Sequence, residues 1–355
     1  MAELLEYKCP CCNGSVEFNS ALQKPVCPYC DSEFEIEELK KAQKAMPDES
    51  EEAPAVPETN EEGLLVYVCK SCGGEIVTDS TTSATDCPYC GNPIIMTGQL
   101  TGELRPDLVI PFKLDKKAAK EALKRHLTGK PLLPKVFKDE NHINEIKGMY
   151  VPFWVFDAHA DASFTYNATK VRRYRTPSHD CTETKYYSVR REGGLDFKNI
   201  PVDGSEKMSN ELMESVEPFD VGEAVPFDSA YLSGYFADRY DVSAEDAESR
   251  GKERVFESAD SVFRDTVNGY STVTKASGSA DITRHNTRYV LYPVWLLNTT
   301  WNDSKYTFAM NGQTGKFVGN LPIDKGAYWR HLLLGALISG AVVFALLLII
   351  SLIGG

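Results

Sequence analysis

The longest apolar run in this 355-residue chain lies near its C-terminal end. Residues 332–353 read LLLGALISGAVVFALLLIISLI and carry no charged side chain. A helix of this length is about 33 Å long, enough to cross a hydrocarbon core of about 30 Å. A buried soluble helix would show a polar stripe, whereas the polar side chains here are Ser339 and Ser351. The pattern predicts a transmembrane helix at 332–353.

The preceding segment, residues 103–330, shows the mixed periodicities of an α+β domain. Asp115 opens the basic amphipathic stretch DKKAAKEALKRHLTGK, which predicts a helix capped by Asp115 and ended at Gly129. A second helix is predicted from Ser243, where Ser243 and Asp246 resemble a capping box. Its apolar stripe consists of Ala247, Val255, Phe256, Ala259, Val262, Phe263 and Val267.

Two aromatic stretches in this domain resemble each other. Residues 149–156 read MYVPFWVF and precede SFTY at 163–166, and residues 290–297 read VLYPVWLL and precede KYTF at 305–308. Aligning the two prolines superimposes two tryptophans, which predicts a duplicated β-hairpin forming two halves of one sheet. Chance similarity between aromatic strands is the alternative. The fold class expected is α+β, with a β-rich cytosolic domain.

Eight of the ten cysteines form two sets with identical spacing. Each set has two C-x2-C pairs separated by fourteen residues, and the second set lies sixty residues after the first. Two such turns present four thiolates to one ion, which is the arrangement of a structural zinc ribbon. The sequence therefore predicts two Zn²⁺ ions, held by Cys9, Cys12, Cys27 and Cys30 and by Cys69, Cys72, Cys87 and Cys90.

Other uses of these cysteines are disfavoured. Disulfides need an oxidising compartment, and the residues before Cys9 show no secretory signal. Redox C-x-x-C motifs usually occur singly, and an iron centre on the same ligands is the remaining alternative. Cys11 lies between two ligands and could compete for the ion, although a bystander role is preferred. Cys181 falls in a predicted polar loop and has no assigned role.

Composition divides the chain into five parts. The stretch KKAQKAMPDESEEAPAVPETNEE is acidic and proline-containing with almost no large apolar residue, which predicts a flexible linker. The predicted parts are zinc ribbon 1 (1–38), the acidic linker (39–62), zinc ribbon 2 (63–102), the α+β domain (103–330) and the transmembrane helix (332–353).

Charges beside the apolar run predict its orientation. Its N-terminal side carries basic residues and two aromatic residues suited to the membrane interface, namely Lys325, Arg330 and His331 with Tyr328 and Trp329. The positive-inside rule then keeps the body in the cytosol, where thiolates also persist. The expected localisation is the cell membrane, through a single C-terminal anchor. Small residues at 335, 336, 339 and 340 also allow a homo-oligomer or a membrane partner through this helix.

The net charge of −13 argues against nucleic acid as the main partner. Ribbon 1 has two lysines against eight carboxylates and ribbon 2 has one lysine against three, whereas nucleic-acid affinity depends on basic side chains at phosphates. Residues 113–147 are rich in basic side chains and residues 201–260 in acidic side chains. Three arrangements would each explain this: solvated helix faces, pairing of the two segments with each other, or contact of the basic segment with an anionic membrane leaflet. The patch best suited to a nucleic acid contains Arg172, Arg173, Tyr174, Arg175 and Tyr186.

Known catalytic motifs are missing from the sequence. It has no P-loop, nucleophile elbow, dinucleotide fingerprint or zinc-protease motif, so we expect no enzyme and no catalytic residue. The nearest candidate is Asp157, His159 and Asp161, which strand alternation places on one face, where they could hold a divalent ion or act as a general base. A solvated strand face is the preferred interpretation.

Several motifs resemble a known group of proteins. CPCCNG, CPYC, CKSCGG and CPYCGN are similar to TFIIB-type zinc ribbons. VIPFKLDKKAAKEALK (109–124), IKGMYVPFWVFDA (146–158), YLSGYFADRYDV (231–242) and NGQTGKFVG (311–319) resemble bacterial zinc-ribbon membrane proteins. Those proteins are often called primosomal-protein-N′-like, helicase-like or phage-replisome-like. The resemblance covers nearly the whole chain, and Cys11 departs from the usual first knuckle.

The resemblance implies recruitment of cytosolic partners to the membrane, beside SPFH-domain and phage-shock-protein-A-like stress proteins. Because the chain has no Walker motif and no helicase core, helicase or primosome activity is not supported. The function expected is a non-catalytic, membrane-anchored cytosolic scaffold that recruits protein partners. The alternative is a membrane-tethered nucleic-acid-binding protein.

Overall fold

A large sheet with three very long strands organises the structure. The computed structural model describes residues 4–45, 58–59, 64–139, 143 and 145–353. In chain order the strands are β1 (Leu4–Leu5), β2 (Glu17–Asn19), β3 (Lys24–Val26), β4 (Glu58–Thr59), β5 (Leu65–Val68), β6 (Glu75–Thr78), β7 (Thr82–Asp86), β8 (Pro93–Met96), β9 (Leu108–Val109), β10 (Lys147–Arg175), β11 (Asp180–Asp203), β12 (Val225–Pro226), β13 (Phe236–Asp238), β14 (Thr272–Trp301), β15 (Ser304–Asn311) and β16 (Phe317–Gly319). The helices are α1 (Ile36–Ala45), α2 (Lys116–Leu127), α3 (Asn210–Val216), α4 (Ala244–Asp265) and α5 (Lys325–Ile353). The expected α+β class is confirmed.

The large sheet joins strands from both predicted ribbons and from the central domain. Its order is β1-β8-β7-β13-β10-β14-β15-β16, with β11 also paired to β10 and β9 paired to both β12 and β14. β10 is central because it pairs with β11, β13 and β14. β1, β7 and β8 lie within the predicted ribbons, so backbone hydrogen bonds connect the ribbons to the rest of the body.

Three strands extend far beyond the body. β10, β11 and β14 contain 29, 24 and 30 residues. We call residues 157–199 and 270–287 the arm, and residues 169–187 the arm tip. At about 3.3 Å per residue, β10 covers about 60 Å between Asp157 and Arg175. The arm is therefore a three-stranded ribbon that carries its tip well away from the central domain.

Helix α4 packs along one face of the arm. Side chains of β10 alternate between the two faces, and those buried beneath α4 are Ala158, Ala160, Ala162, Phe164 and Tyr166. α4 begins where predicted, and the Ser243 hydroxyl accepts the amide N–H of Asp246. Most of the predicted stripe is buried or half-buried, but Val262 is 45% exposed. Tyr166 donates to the carboxylate of Asp260 at 2.9 Å and so ties α4 to the strand.

The predicted duplication of a hairpin is wrong in its first half. Residues 149–156 and 163–166 lie in one continuous strand, β10, because the linking segment DAHADA alternates small and polar residues without a turn signal. The second half does form a hairpin, in which β14 and β15 meet at Asn302 and Asp303. The polar loop expected around Cys181 is also wrong, since this residue lies in β11. Near the arm tip β11 is exposed on both faces, so it shows no apolar alternation.

Zinc ribbon 1 rests on the body. The amide of Phe18 donates to the carbonyl of Ser233 at 2.9 Å. The hydroxyls of Tyr7 and Ser229 share a hydrogen bond of 2.7 Å. β1 pairs antiparallel with β8, so the first residues of ribbon 1 extend the sheet of ribbon 2. The first two of these contacts join residues more than 200 positions apart in the chain.

The start of the predicted linker is helical. α1 covers residues 36–45 and has acidic residues in its first turn, which favours a helix N-terminus. Leu39 is buried and Lys40 pairs with Asp228 at 2.6 Å, so this helix also contacts the body. Most of the predicted linker, residues 46–57 and 60–62, lies outside the described residues.

The apolar C-terminal segment forms the helix α5. It begins at Lys325, earlier than the predicted residue 332, because the Asp324 carboxylate accepts the amide of Gly326 at 2.8 Å and caps the first turn. Residues 325–346 are long and apolar enough to cross a membrane, and the protein buries none of their most apolar window. Leu337, for example, is 71% exposed. Such a surface fits a lipid environment.

We expect Phe164→Ala to destabilise the protein through loss of packing between the arm and α4. Phe164 is fully buried, and its ring lies 5.2 and 5.9 Å from those of Phe256 and Phe263. Removing the ring should lower the free energy of unfolding by about 3–5 kcal/mol. Urea unfolding of the detergent-solubilised protein measures this, with Tyr186→Ala as control, because that side chain is 81% exposed. Equal losses in both variants would contradict the packing.

A buried carboxyl group lies at the end of β11. Asp203 is 7% exposed, and one of its oxygens accepts the amide of Ser205 at 3.1 Å. The other oxygen has no hydrogen-bond partner among the described residues. Burial raises the pKa of Asp203 to about 7, and the charge of Asp241 adds to this, whereas Ser205 and Arg250 oppose it.

We expect Asp203→Asn to remove part of the pH dependence of stability. In the unfolded chain an aspartate ionises near pH 4, but in the folded protein Asp203 stays protonated to about pH 7. Its ionisation therefore favours unfolding, and stability falls as pH rises from about 4 to 7. At pH 8 the variant should gain up to about 4 kcal/mol over the parent, and little at pH 4. Urea unfolding across this range measures it, with the neighbouring Glu206→Gln as control. Parallel pH profiles for Asp203→Asn and the parent would refute the assignment.

Candidate metal centres

The four C-x2-C turns share one backbone structure. In each, the amide of the first cysteine donates to a carbonyl five residues later, and its own carbonyl accepts from the residue four later. The residue after the second cysteine has a positive φ in every turn: 59° at Asn13, 56° at Asp31, and 74° at Gly73 and Gly91. Asparagine, aspartate and glycine tolerate this conformation best, which explains their presence at these positions.

These turns bring each set of four sulfur atoms together. The Sγ–Sγ distances are 3.6 Å for Cys9–Cys30 and 3.5 Å for Cys12–Cys27 in ribbon 1. In ribbon 2 both Cys69–Cys90 and Cys72–Cys87 are 3.8 Å apart. All four sulfurs of each set lie within 4.8 Å of one another.

The sulfur geometry fits zinc rather than a disulfide. Four thiolates about 2.3 Å from one tetrahedral ion are about 3.8 Å apart, whereas a disulfide needs about 2.05 Å. Both predicted ligand sets therefore come together as expected, and each can hold one metal ion. With four thiolates, a zinc ion at either centre would have no open position.

Local hydrogen bonds favour the thiolate form at some of these positions. The hydroxyl and the amide of Ser32 lower the pKa of Cys30 to about 6. Burial of Cys87 opposes its ionisation, but the amides of Cys90 and Tyr89 lower its pKa to about 7. Thiolates are the metal-binding form of cysteine, so these contacts also favour metal binding.

Glu6 is part of the second centre although it belongs to the segment of ribbon 1. It is 7% exposed, and its carboxylate accepts hydrogen bonds from Ser71 at 2.5 Å and lies 3.6 Å from Sγ of Cys69. Lys8 pairs with it at 3.0 Å. No sequence pattern singles out Glu6, because the two segments are more than sixty residues apart in the chain.

The remaining cysteines stay outside both ligand sets. Cys11 is exposed and contributes its amide, which donates to Sγ of Cys9 at 3.4 Å. Cys181 lies at the arm tip, opposite Tyr174 in the neighbouring strand. Neither thiol belongs to a group of metal-binding residues in the part of the chain that the structure describes.

Asp157, His159 and Asp161 share one face of β10, but they do not act as one group. Asp157 lies 3.4 Å from the guanidinium of Arg288 and accepts the amide of Asn199. His159 instead contacts Asp161 and, at 2.6 Å, the carboxylate of Asp196 from β11. The hydrogen bond that His159 donates to the carboxylate of Asp196 raises the pKa of His159. The predicted trio therefore divides, and Asp196 is the contact that the sequence prediction lacked.

The basic and aromatic patch predicted around residue 174 lies at the arm tip. Tyr186 is 81% exposed and Tyr174 is 47% exposed. The guanidinium of Arg172 lies 5.7 Å from the ring of Tyr174, and the ammonium of Lys170 lies 5.7 Å from that of Tyr187. The structure thus presents cations and aromatic rings together on an accessible surface.

The chain is similar to a bacterial protein over almost its whole length. It is 36% identical over 354 residues to uncharacterized protein YdjG of Bacillus subtilis (strain 168), and the match covers 99% of each chain. No protein-family model matches the chain. No solved structure matches it.

We expect Cys87→Ser to lower the zinc content of the purified protein from two ions per chain to one. Its thiol is one of four ligands in ribbon 2, and a serine hydroxyl is a poor substitute for a thiolate. Cys11→Ser is the matched control and should retain both ions, because Cys11 lies outside the ligand set. Elemental analysis of zinc per chain measures both variants. A loss of zinc in Cys11→Ser would overturn the ligand assignment.

Proposed function

This chain belongs to the same protein family as YdjG of Bacillus subtilis, and on that premise we propose that it is a non-catalytic scaffold, anchored in the cell membrane, that recruits cytosolic protein partners. The observation that carries the proposal is a continuous sheet that joins both ribbons to the strands leading into the apolar helix. Such a protein holds binding modules at a fixed place relative to a membrane.

The two zinc ions have a structural role in this proposal. Each centre offers four thiolates, which leaves no position for a water molecule or a substrate. Ribbons of this size bury too little apolar surface to fold alone, and a bound ion compensates for that. The ribbons are therefore folded surfaces for partners.

The proposed orientation places the body in the cytosol. Lys325 and Arg330 lie at the N-terminal end of α5, next to Trp329, and tryptophan is enriched at membrane interfaces. Basic residues are enriched on the cytosolic side of membrane helices. The reducing cytosol also preserves zinc thiolates.

The ribbons offer surfaces suited to protein partners. Tyr29 and Tyr89 occupy equivalent positions in the two ribbons and are 68% and 70% exposed. Exposed tyrosines are enriched at the centres of protein interfaces. Glu33 and Glu37 are exposed beside Tyr29 in the sequence, so a partner with basic residues would suit ribbon 1. SPFH-domain or phage-shock-protein-A-like proteins are the partners that the sequence resemblance implies.

A second function is favoured by the arm tip. Proteins that bind single-stranded nucleic acid stack its bases on exposed aromatic rings and neutralise its phosphates with arginine and lysine, and the arm tip has both kinds of side chain. The acidic ribbons oppose this function. A membrane-tethered nucleic-acid-binding protein is therefore kept as the alternative.

Affinity purification from the native cells distinguishes the two functions. We expect the detergent-solubilised protein to retain specific protein partners after nuclease treatment, and Tyr29→Ala with Tyr89→Ala to lose them. The triple variant Arg172→Gln, Arg173→Gln and Arg175→Gln is the matched control and should retain them. If nuclease releases the bound material, and the triple variant fails to capture it, the nucleic-acid function replaces the scaffold.

A further inference from the structure

We propose that the two cysteine centres bind zinc cooperatively, because one short segment, residues 4–9, is packed into both ribbons. We call residues 4–9 the linking segment. An ion at either centre would fix this segment and thereby raise the affinity of the other centre. The inference concerns zinc binding by the chain and does not rest on the proposed scaffold function.

The linking segment completes the core of ribbon 2. Leu4 is 7% exposed and pairs with Met96 of β8. Its side chain is buried in the cluster that contains Cys69 and Cys87, two ligands of the second centre. The apolar core around these ligands therefore includes a residue from the segment that leads into ribbon 1.

Two further side chains of the linking segment hold a cysteine turn of ribbon 2. Ser71 lies between the ligands Cys69 and Cys72, and its hydroxyl donates to the carboxylate of Glu6 at 2.5 Å. The ammonium of Lys8 donates to the same hydroxyl at 2.5 Å and lies 3.0 Å from the carboxylate. Glu6 is also 3.6 Å from Sγ of Cys69, and its pairing with Lys8 offsets the repulsion between carboxylate and thiolate.

The alternate side chains of the linking segment belong to ribbon 1. Tyr7 is 4% exposed and is buried in the cluster that contains Cys9 and Cys27, two ligands of the first centre. The carbonyl of Tyr7 accepts the amide of Val16 at 2.9 Å. Successive side chains of an extended segment point to opposite sides. The linking segment therefore contacts ribbon 2 through Leu4, Glu6 and Lys8 and ribbon 1 through Tyr7 and Cys9.

This shared segment couples the folding of the two ribbons. Small zinc modules fold together with their ion. Without an ion at the second centre, the partners of Leu4 and Glu6 would lose their fixed positions, and the segment would no longer hold Cys9 in place. An ion entering the first centre would then have to order the segment, which lowers its affinity. With the second centre filled, the segment is already ordered, and such prior ordering produces positive cooperativity.

The coupling is reciprocal and moderate. By thermodynamic linkage, each ion must raise the affinity of the other centre by the same factor, and such factors are typically about 5–150. Ribbon 1 also contacts the body through Tyr7 with Ser229 and through Phe18 with Ser233. These contacts do not involve ribbon 2, so they would hold part of ribbon 1 in place without the second ion. We therefore expect a coupling factor of about 10, near the low end of that range.

The test is competition between the full-length protein in detergent and a chromophoric zinc chelator. Cys87→Ser removes a ligand of the second centre and reports the affinity of the first alone, and Cys27→Ser reports that of the second alone. The coupling factor is the overall binding constant for both ions in the parent, divided by the product of the two single-centre constants. We expect about 10. A factor of one would show independent centres and overturn the proposal.

A second set of variants tests the linking segment itself. The double variant Leu4→Ala with Glu6→Gln, combined in turn with each cysteine substitution, should bring the coupling factor close to one. Glu6→Gln alone, which preserves the size of the side chain, should lower the factor part of the way. Glu75→Gln is the matched control, because Glu75 is exposed on β6 of ribbon 2, and it should leave the factor unchanged.

The coupling factor separates linkage from simple destabilisation, because a change in the affinity of one centre alone cancels in the ratio. Elemental analysis at saturating zinc should find two ions per chain in the double variant, since all eight ligands remain. A coupling factor that stays near its parent value in both the double variant and Glu6→Gln would show that the coupling does not pass through the linking segment. That result would also overturn the proposal.

Discussion

Backbone pairing along β10 is the constraint on which the rest of the structure depends. Near its N-terminal end this strand pairs with β13 on one side and β14 on the other. β13 pairs with β7, through which ribbon 2 enters the sheet. β14 continues through β15 and β16 to the start of α5. The second thiolate centre and the apolar helix are therefore connected through one hydrogen-bonded sheet, which fixes their relative placement better than a flexible linker would.

The same strand gives the arm two chemically different faces. Alternation directs Ala158, Ala160 and Phe164 toward α4, while His159 and Asp161 face solvent. The apolar face requires a cover, because a three-stranded ribbon with an exposed apolar side would promote aggregation. α4 provides that cover along the part of the arm nearest the body, and the arm tip beyond α4 is polar and aromatic. The covered face thus stabilises the arm, and the open face is polar and solvent-exposed.

Local features of the structure could be predicted from the sequence, whereas long-range contacts could not. The cysteine spacing predicted both ligand sets because each knuckle is a short turn, set by residues such as Asn13 and Gly73. Ser243 marked the start of α4 for the same reason. The arm was missed because the small and polar residues of DAHADA separate two aromatic stretches, and because β11 lacks an apolar face. Contacts such as Phe18 with Ser233, or Glu6 with Ser71, join segments far apart in the chain, and no periodicity reports them.

Zinc binding and sheet formation are coupled at ribbon 2 in a way that ribbon 1 does not share. The turn that contains Cys87 and Cys90 is the connection between β7 and β8. An ion at this turn therefore fixes the register of β7 against β13 and of β8 against β1. Apparent zinc binding energies of about 10–16 kcal/mol match or exceed the whole stability of a typical domain, about 5–15 kcal/mol. Loss of that ion would thus loosen the edge of the large sheet, whereas the β2–β3 hairpin of ribbon 1 forms its own sheet. An ion at the second centre would consequently brace the large sheet, whereas one at the first would hold a module that is docked onto it.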